Sequence, residues 1–352
     1  MRIGIACNRF GQSGGMEQYA LRVTKALLRL GHTPVIFTMT ADDALPFYKQ
    51  TEVHQWTGAI RWLPNKWNVK RFNQWLLTER KKVPVDFMIA CCIAVSAEIA
   101  TCGGNHIGYL KAMKKSVSFF DRWIINLERT MYRQATLVVA HSEAMKLELK
   151  DFYGIDSQKI RVIYPPQCFQ TTTEVADRRA LREKFGLPQD KTLFLFPSSS
   201  HKRKGLDLLR RYFEKTEFPE LLVVAGKPLK RPIKNAQYVG FCTDMPTLYQ
   251  ACDYTVMASL YEPLGMVGAE SVSCGTPAIM GKNIGCCEIL DGRALRNFDV
   301  HSLTDFERVM AEVREHPVKL EPPYEQYISR RGVMTGEAHV TEIIFEFRKH
   351  LY

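Results

Sequence analysis

Residues 1–39, MRIGIACNRFGQSGGMEQYALRVTKALLRLGHTPVIFTM, decide the fold class. Ile3 to Cys7 is an unbroken apolar run of strand length, and Gly11 to Gly15 is a glycine-bearing loop. Met16 to Leu30 then sets Met16, Tyr19, Ala20, Val23, Leu27 and Leu30 on one helical face. Gly31 stands where a helix-ending glycine belongs, and Pro34 to Met39 is a second apolar run. Strand, loop, helix and strand in that order open a parallel α/β sheet.

The same pattern recurs along the chain. Asp86 to Ala94 and Leu137 to Ala140 read as strands covered on both faces, and Ser142 is placed to cap a helix. Ile160 to Tyr164 ends in Pro165-Pro166, a stiff break before the polar stretch Gln167 to Asp177, and the domain boundary is expected there. A second series comes next, with strands at Leu193 to Phe196, Leu221 to Ala225, Tyr238 to Phe241, Tyr254 to Ala258 and Ala278 to Met280, and helices at Met245 to Cys252 and Met266 to Cys274. The expected division is an N-terminal domain of 1–164, a C-terminal domain of 165–334, and a helical segment 335–352 that packs back on the first. A chain of 352 residues is too long for one small core. Two doubly wound halves are expected to take ligand at the carboxyl ends of their strands.

Charge is divided unevenly. Residues 1–164 hold 23 basic and 13 acidic side chains, a net +10, whereas the remainder holds 25 and 24, a net +1. The acidic partner implied by that excess, whether nucleic acid, anionic membrane or phosphorylated small molecule, belongs mainly to the first half. No run approaches the roughly 20 apolar residues that span a bilayer. Met1 to Cys7 is too short an apolar run for a signal peptide, since Asn8-Arg9 comes at once, and a cytoplasmic chain starting at Met1 is expected. The ten cysteines include the adjacent pairs Cys91-Cys92 and Cys286-Cys287 and no C-x-x-C, so reduced thiols are expected in place of a zinc site or a disulfide framework.

Three stretches carry chemistry. In Gly11-Gln12-Ser13-Gly14-Gly15-Met16-Glu17 the glycines let backbone N–H groups approach a ligand at a helix start, although a tight turn would use them equally well. The spacing is not G-x-G-x-x-G and no acidic residue ends the second strand, which argues against a nicotinamide dehydrogenase. Ser198-Ser199-Ser200-His201-Lys202-Arg203-Lys204-Gly205 sets three cations after the first strand of the second half. A solvated basic loop is the plain alternative, but at a strand's carboxyl end such a loop can neutralise a diphosphate. In Tyr261-Glu262-Pro263-Leu264-Gly265-Met266-Val267-Gly268-Ala269-Glu270 one carboxylate lies in a loop and the other on the next helix. Singly, Glu270 reads as surface charge and Glu262 as a helix-dipole partner. Together with the helix N-terminus at Gly265 they make a site for a nucleotide sugar: carboxylates accept hydroxyls, and N–H groups accept phosphate.

Gly14-Gly15, the Lys204-Gly205 loop and the pattern E-P-x-G-x-x-x-x-E from Glu262 to Glu270 resemble the retaining glycosyltransferases of glycosyltransferase family 4, over essentially the whole chain. The resemblance implies the GT-B fold, two Rossmann-like domains facing across a cleft. It implies that Glu262 contacts the donor sugar near the reacting carbon and that Glu270 holds the ribose. Gly265, Met266 and Val267 would meet sugar and diphosphate, and Gly14 and Gly15 the distal phosphate. Arg203 and Lys204 would clamp the diphosphate, and Val239 to Phe241 would lie by the base. Many members carry Arg five residues before the Lys, where this chain has Ser199; Arg203 beside Lys204 resembles the lipopolysaccharide-core branch. The usual glycine-rich Pro-Glu segment appears as Asn283-Ile284-Gly285-Cys286-Cys287-Glu288, and Glu288 receives no role. Cys102 to Leu110 is similar to the core-branch segment in which a polar residue after glycines reaches the donor sugar. His106 is therefore the second catalytic candidate, a loop histidine without such duty being the alternative.

The same resemblance implies a retaining transfer without metal or other cofactor, consistent with the lack of a D-x-D sequence. Arg203, Lys204 and the helix N-terminus would stabilise the departing diphosphate, and Glu262→Ala is expected to remove most turnover with the fold intact. The expected donor is UDP-GlcNAc or UDP-glucose, and the acceptor a lipopolysaccharide or lipooligosaccharide core glycolipid. Asn65 to Trp75 leads to Arg80-Lys81-Lys82, and Lys111, Lys114 and Lys115 flank Phe119, Phe120 and Trp123. Cations interleaved with aromatics suit the anionic inner-membrane surface on its cytoplasmic side, solvated helix faces being the alternative. A nucleotide-sugar epimerase of the same architecture is the competing enzyme. Nucleic-acid binding has no recognition motif in its favour.

Overall fold

The computed structural model describes residues 1–12, 14–58, 65–166, 177–332 and 334–351, with Asn65 and Lys66 described by backbone alone. The polar stretch expected as a linker at Gln167 to Asp177 lies outside these residues except for Asp177. The described residues form two compact units, one drawn from Met1–Pro166 and Met334–Tyr352, the other from Gln167–Val333.

The first unit begins with β1 (Arg2–Phe10), α1 (Gly15–Arg29) and β2 (Thr33–Ala41). It continues through β3 (Glu52–Gln55), α2 (Asn65–Lys82), β4 (Phe87–Ala90), β5 (Ile99–Cys102), α3 (His106–Ala112), α4 (Phe119–Gln134), β6 (Leu137–Ala140), α5 (Glu143–Tyr153) and β7 (Ile160–Val162). Its sheet runs β3-β2-β1-β4-β5-β6-β7 with every pair parallel. All four residues of β4, of β5 and of β6 are buried, as expected of parallel strands covered on both faces.

The apolar run Asp86 to Ala94 is not one strand. β4 ends at Ala90, and the chain then leaves the sheet because Asn73 on α2 holds it at two points: Nδ2 donates to the Ile93 carbonyl at 2.9 Å and Oδ1 accepts from Val95 N–H at 2.9 Å. Cys91 and Ala94 are buried without being strand, and β5 is a further element that lies beyond the run.

The second unit holds α6 (Arg178–Lys184), β8 (Thr192–Ser198), α7 (Leu206–Phe213), β9 (Glu220–Gly226), β10 (Ala236–Gly240), α8 (Met245–Ala251), β11 (Tyr254–Met257), α9 (Met266–Ser273), β12 (Ala278–Gly281), β13 (Leu295–Phe298) and α10 (Leu303–Glu315). Its parallel sheet runs β10-β9-β8-β11-β12-β13. The strand expected at Tyr238 to Phe241 starts at Ala236 and ends at Gly240, leaving Phe241 83% exposed. In both sheets strand order reverses at one point, between β1 and β4 and between β8 and β11. Loops leaving those strands diverge there and open a crevice at their carboxyl ends.

The last helix, α11 (Gly336–Lys349), belongs to the first unit and lies on α1. Val340, Ile343, Ile344 and Phe347 join the core built by β1, α1 and β4, each worth about 1.5–3 kcal/mol when fully buried. Polar contacts fix its register: Tyr19 Oη lies 2.9 Å from His339 Nε2, and Arg161 Nε donates to Glu346 Oε2 at 2.6 Å. Among the described residues no helix is long and apolar enough to cross a membrane, and every described cysteine is a free thiol.

Candidate active site

At the switch point of the second sheet the loop after β8 meets the loop after β11. Gly205 makes the approach possible: it sits at φ +79°, and a Cβ there would stand 1.9 Å from the Ala258 carbonyl oxygen. Leu260 N–H donates to the Arg203 carbonyl at 2.9 Å, which joins the two loops by backbone. The consequence is a three-membered charge cluster. Lys204 Nζ lies 2.6 Å and Arg203 Nη1 2.8 Å from Glu262 Oε2, while Arg203 Nη1 also donates to the Tyr261 carbonyl at 3.0 Å.

The Lys204 and Glu262 side chains are 10% and 15% exposed. Burial alone would push the Glu262 carboxyl up, but Lys204 and then Arg203 outweigh it and hold the group below the usual carboxylate range. At neutral pH Glu262 is thus an acceptor with no proton to give.

Gly265 opens α9 at φ +74° without a side-chain cap, and a Cβ there would lie 2.6 Å from Ile284 Cγ2. The strands' trailing loops are braced together by a parallel bridge between Glu262 and Ile284 and by Asn283 Nδ2, which donates to the Ser259 and Leu260 carbonyls at 2.9 and 3.1 Å. Met266 and Val267 form the half-exposed first turn of α9. One turn further, Glu270 Oε2 accepts from Tyr249 Oη at 3.4 Å. The structure therefore brings Arg203, Lys204 and Glu262 into contact and sets Gly265, Met266, Val267 and Glu270 on the same loop and helix. Neither Ser259 nor Tyr249 was picked out in sequence.

In the first unit Gly14 is the N-cap position of α1 and Gly15 its first residue, and Gly15 lines a cavity of about 370 Å³. His106 begins α3: its Nε2 lies 2.7 Å from Asp121 Oδ1, and Asp121 is locked in a capping box with Ser118 at the start of α4. The ring thus engages the N-terminus of α4 through Asp121. Its backbone N–H donates to both Glu128 oxygens at 3.2 and 3.1 Å. Glu128 is 6% exposed, accepts from Tyr153 Oη, and has its carboxyl pushed up to about 7 by burial in spite of those donors. Sequence reasoning missed Glu128, Asp121 and Tyr153. The signal was present: Asp121 and Glu128 stand in the same buried stripe of α4 as Ile124, Ile125, Met131 and Tyr132, where a carboxylate needs a reason.

The basic and aromatic segments meet on α2 and α4. The Trp67 ring lies 6.3 Å from Phe120 and 6.4 Å from Trp123, and Phe119 lies 5.7 Å from Phe120. Lys70 Nζ stands 5.7 Å over Trp123, and Phe119 is 79% exposed.

Residues 13–166 match the family model described as Glycosyltransferase Family 4, and residues 177–305 match Glycosyl transferases group 1. A probable transglycosylase of Burkholderia thailandensis is 42% identical over 292 residues, 82% of this chain and 80% of the relative. The chain belongs to the family 4 glycosyltransferases. This glycosyltransferase shares its fold with WaaG, a glycosyltransferase involved in lipopolysaccharide biosynthesis, at TM-score 0.75 and 15% identity over 99% of this chain and 93% of that one. HepE of Anabaena, solved with UDP-glucose, matches at TM-score 0.69 and 17% identity over 100% and 98%. The two parallel-sheet units are the halves of a GT-B glycosyltransferase. An epimerase draws no support from either matched family, both being transferases.

Proposed function

We propose that this glycosyltransferase moves a hexose, with retention of configuration and without a metal, from UDP-glucose or UDP-GlcNAc to a lipopolysaccharide or lipooligosaccharide core at an anionic, cytoplasmic membrane face. One observation carries the donor half: an ionised Glu262 beside Lys204, Arg203 and the uncapped N-terminus of α9. Such a corner offers an acceptor for sugar hydroxyls next to cations and N–H groups for a diphosphate. Gly14 and Gly15 offer the start of a second helix to phosphate, and Glu270 a carboxylate to the ribose.

In the proposed reaction the acceptor oxygen bonds to the anomeric carbon as the carbon–oxygen bond to phosphate breaks, on one face of the ring. The acceptor proton passes to the leaving phosphate oxygen, and Arg203 and Lys204 take up the charge that develops there. Glu262 cannot act as general acid, because its neighbours keep it ionised; it orients the donor and stabilises positive charge at the reacting carbon. UDP as the nucleotide is supported by the UDP-glucose complex of HepE, and a lipopolysaccharide acceptor by the likeness to WaaG. The aromatic cluster of Trp67, Phe119, Phe120 and Trp123, with Lys70 over Trp123, supports the membrane side of the reading.

A panel of UDP-, GDP- and ADP-sugars tests the donor by thermal stabilisation, which rises as RT ln(1 + [L]/Kd). Transfer to purified core oligosaccharide is then assayed in EDTA, with product anomers assigned by NMR. Stabilisation by a GDP- or ADP-sugar alone, an inverted product, or transfer lost in EDTA would each overturn the corresponding part.

A further inference from the structure

The C-terminal half is nearly neutral as a whole, yet its charge is concentrated. Residues 200–231 hold nine basic and four acidic side chains, a net +5, while the rest of 165–352 is net −4. Much of that excess lines a groove of about 820 Å³ between α7 and the loop after β9. The groove lies on the β9 side of β8, whereas the Glu262 corner lies on its β11 side. Arg203, Lys204 and Glu262 are not part of its lining.

Polar contacts fix the two loops that border the groove. Lys227 N–H donates to the Ser198 carbonyl at 2.8 Å. His201 spans the loops: Nε2 donates to the Pro228 carbonyl at 3.1 Å, and Nδ1 accepts from Ser198 Oγ at 2.9 Å. Lys202 and Arg210 come from the β8 loop and α7, and Lys227, Lys230 and Arg231 from the loop after β9. Two carboxylates, Asp207 and Glu214, leave the lining at net +3.

Among the described residues none of these five cations makes an ion pair or a side-chain hydrogen bond. That holds even for Arg210, although Asp207 and Glu214 stand one turn to either side of it. Arg203 and Lys204, by contrast, are both committed to Glu262. Cations held on two sides of a groove without counter-charges repel one another, and a ligand that presents negative charge to both sides removes that repulsion. A phosphate monoester brings about −1.5 to −2 charges at neutral pH and accepts from Lys as a point charge and from Arg as a fork. The volume is near the upper end of ligand pockets, roughly 300–1,000 Å³, so a single phosphate would leave most of it empty.

We propose that this groove is a second anion site, separate from the Glu262 corner, which takes a sugar or polyol ring bearing two or more phosphates, either free or as the headgroup of a lipid. The site needs no donor and no transfer step.

The test is calorimetric titration of the full chain with glucose 1,6-bisphosphate, and with glucose 1-phosphate as the single-phosphate control, at 0.1 M salt and saturating UDP. Vesicles carrying a bisphosphorylated disaccharide lipid, against neutral vesicles, form the lipid arm. Parent, Arg210→Gln and Lys230→Glu/Arg231→Glu are compared with Lys49→Glu/Lys150→Glu, which makes the same charge change on exposed side chains of the first unit. The bisphosphate should bind the parent about tenfold or more tightly than the monophosphate, with UDP present. Reversal at 230 and 231 should weaken it about tenfold or more and Arg210→Gln about threefold or more, whereas the control pair should bind as the parent does. UDP affinity should be the same in all four proteins. Vesicle binding that is lost on reversal at 230 and 231 supports the site with a lipid source, and vesicle binding that survives the reversal, beside lost bisphosphate binding, supports it with a soluble one. Bisphosphate binding that UDP displaces, equal weakening by the control pair, or tighter binding of a ten-nucleotide RNA than of the bisphosphate overturns the proposal. If UDP itself fails to bind, the variants still decide the groove, and the donor assignment is what falls.

Discussion

Lys204 and Glu262 form a nearly buried ion pair, Nζ to Oε2 2.6 Å, and Arg203 shares the same carboxylate oxygen. A diphosphate entering this corner competes with Glu262 for both cations. Glu262→Gln should therefore bind UDP at least as tightly as the parent while turnover falls about a hundredfold or more. Calorimetry and a transfer assay check this, and a variant that keeps its turnover would exclude Glu262 from the reaction. Glu262→Ala should keep the fold, as expected from sequence, but at lower stability. It strands two cations without a counter-charge, a loss of about 3–5 kcal/mol for a buried pair, and UDP should restore more of its melting temperature than it adds to the parent.

Gly205→Ala is expected to be severe for a small change. The left-handed backbone costs a non-glycine residue about 1–2 kcal/mol, and the added Cβ meets the Ala258 carbonyl oxygen at 1.9 Å. The melting temperature should drop by roughly 5 °C or more, and UDP affinity should fall because the loop that delivers Arg203 and Lys204 has to move. A folded, parent-like variant would mean that the loop has slack.

Acid should loosen the first unit through His141 and His339. Burial lowers both to about 3 from 6.5, and His339 lowers His141 further. Since the folded values are depressed, the unfolded chain takes the protons first. The stability involved is complete above about 6.5 and is lost as pH falls toward 3, about 2 kcal/mol for each histidine at pH 5. Glu128 opposes them. Its folded value is raised to about 7 from 4.5, so its contribution grows as pH falls through that range and offsets about one histidine by pH 5. The melting temperature should therefore decline between pH 7 and 5, less steeply in His339→Leu and more steeply in Glu128→Gln. Identical slopes in all three proteins would contradict the assignment.

The exposed cluster makes a prediction about vesicles. Phe119→Ser and Lys70→Glu should each weaken binding to anionic vesicles, the second more at low salt, because exposed charges are screened over about 10 Å at 0.1 M. Co-sedimentation against neutral vesicles is the control, and equal binding to both vesicle types would remove the electrostatic part of the reading.

The parallel strands were legible where a run was short and sharply bounded, as at Leu137 to Ala140. β13 was not, because Leu295 and Phe298 are its only buried residues and Arg296 and Asn297 break the apolar pattern. β5 is only four residues long and was not picked out, and the grip of Asn73 on Ile93 and Val95 just after β4 comes from another helix and leaves no mark in the run itself. The charged corner was legible in its membership, since Glu262, Gly265 and Glu270 are close in sequence. That Arg203 and Lys204 both rest on Glu262 was not, because that contact spans about sixty residues and depends on Gly205. For His106 the place after the glycines was legible, but its partner Asp121, fifteen residues on, was not.

The helix α11 gives the chain an unusual order of assembly. Everything between β7 and α11 is, in topological terms, an insertion into the first unit, so Tyr19 on α1, already packed against His141, lacks its α11 cover until residues 336–349 leave the ribosome. The second unit is synthesised whole before the first can be completed. The N-terminal half must wait through that interval with an apolar helix face open to water, which makes nascent chains arrested just short of residue 336 the ones most in need of a chaperone.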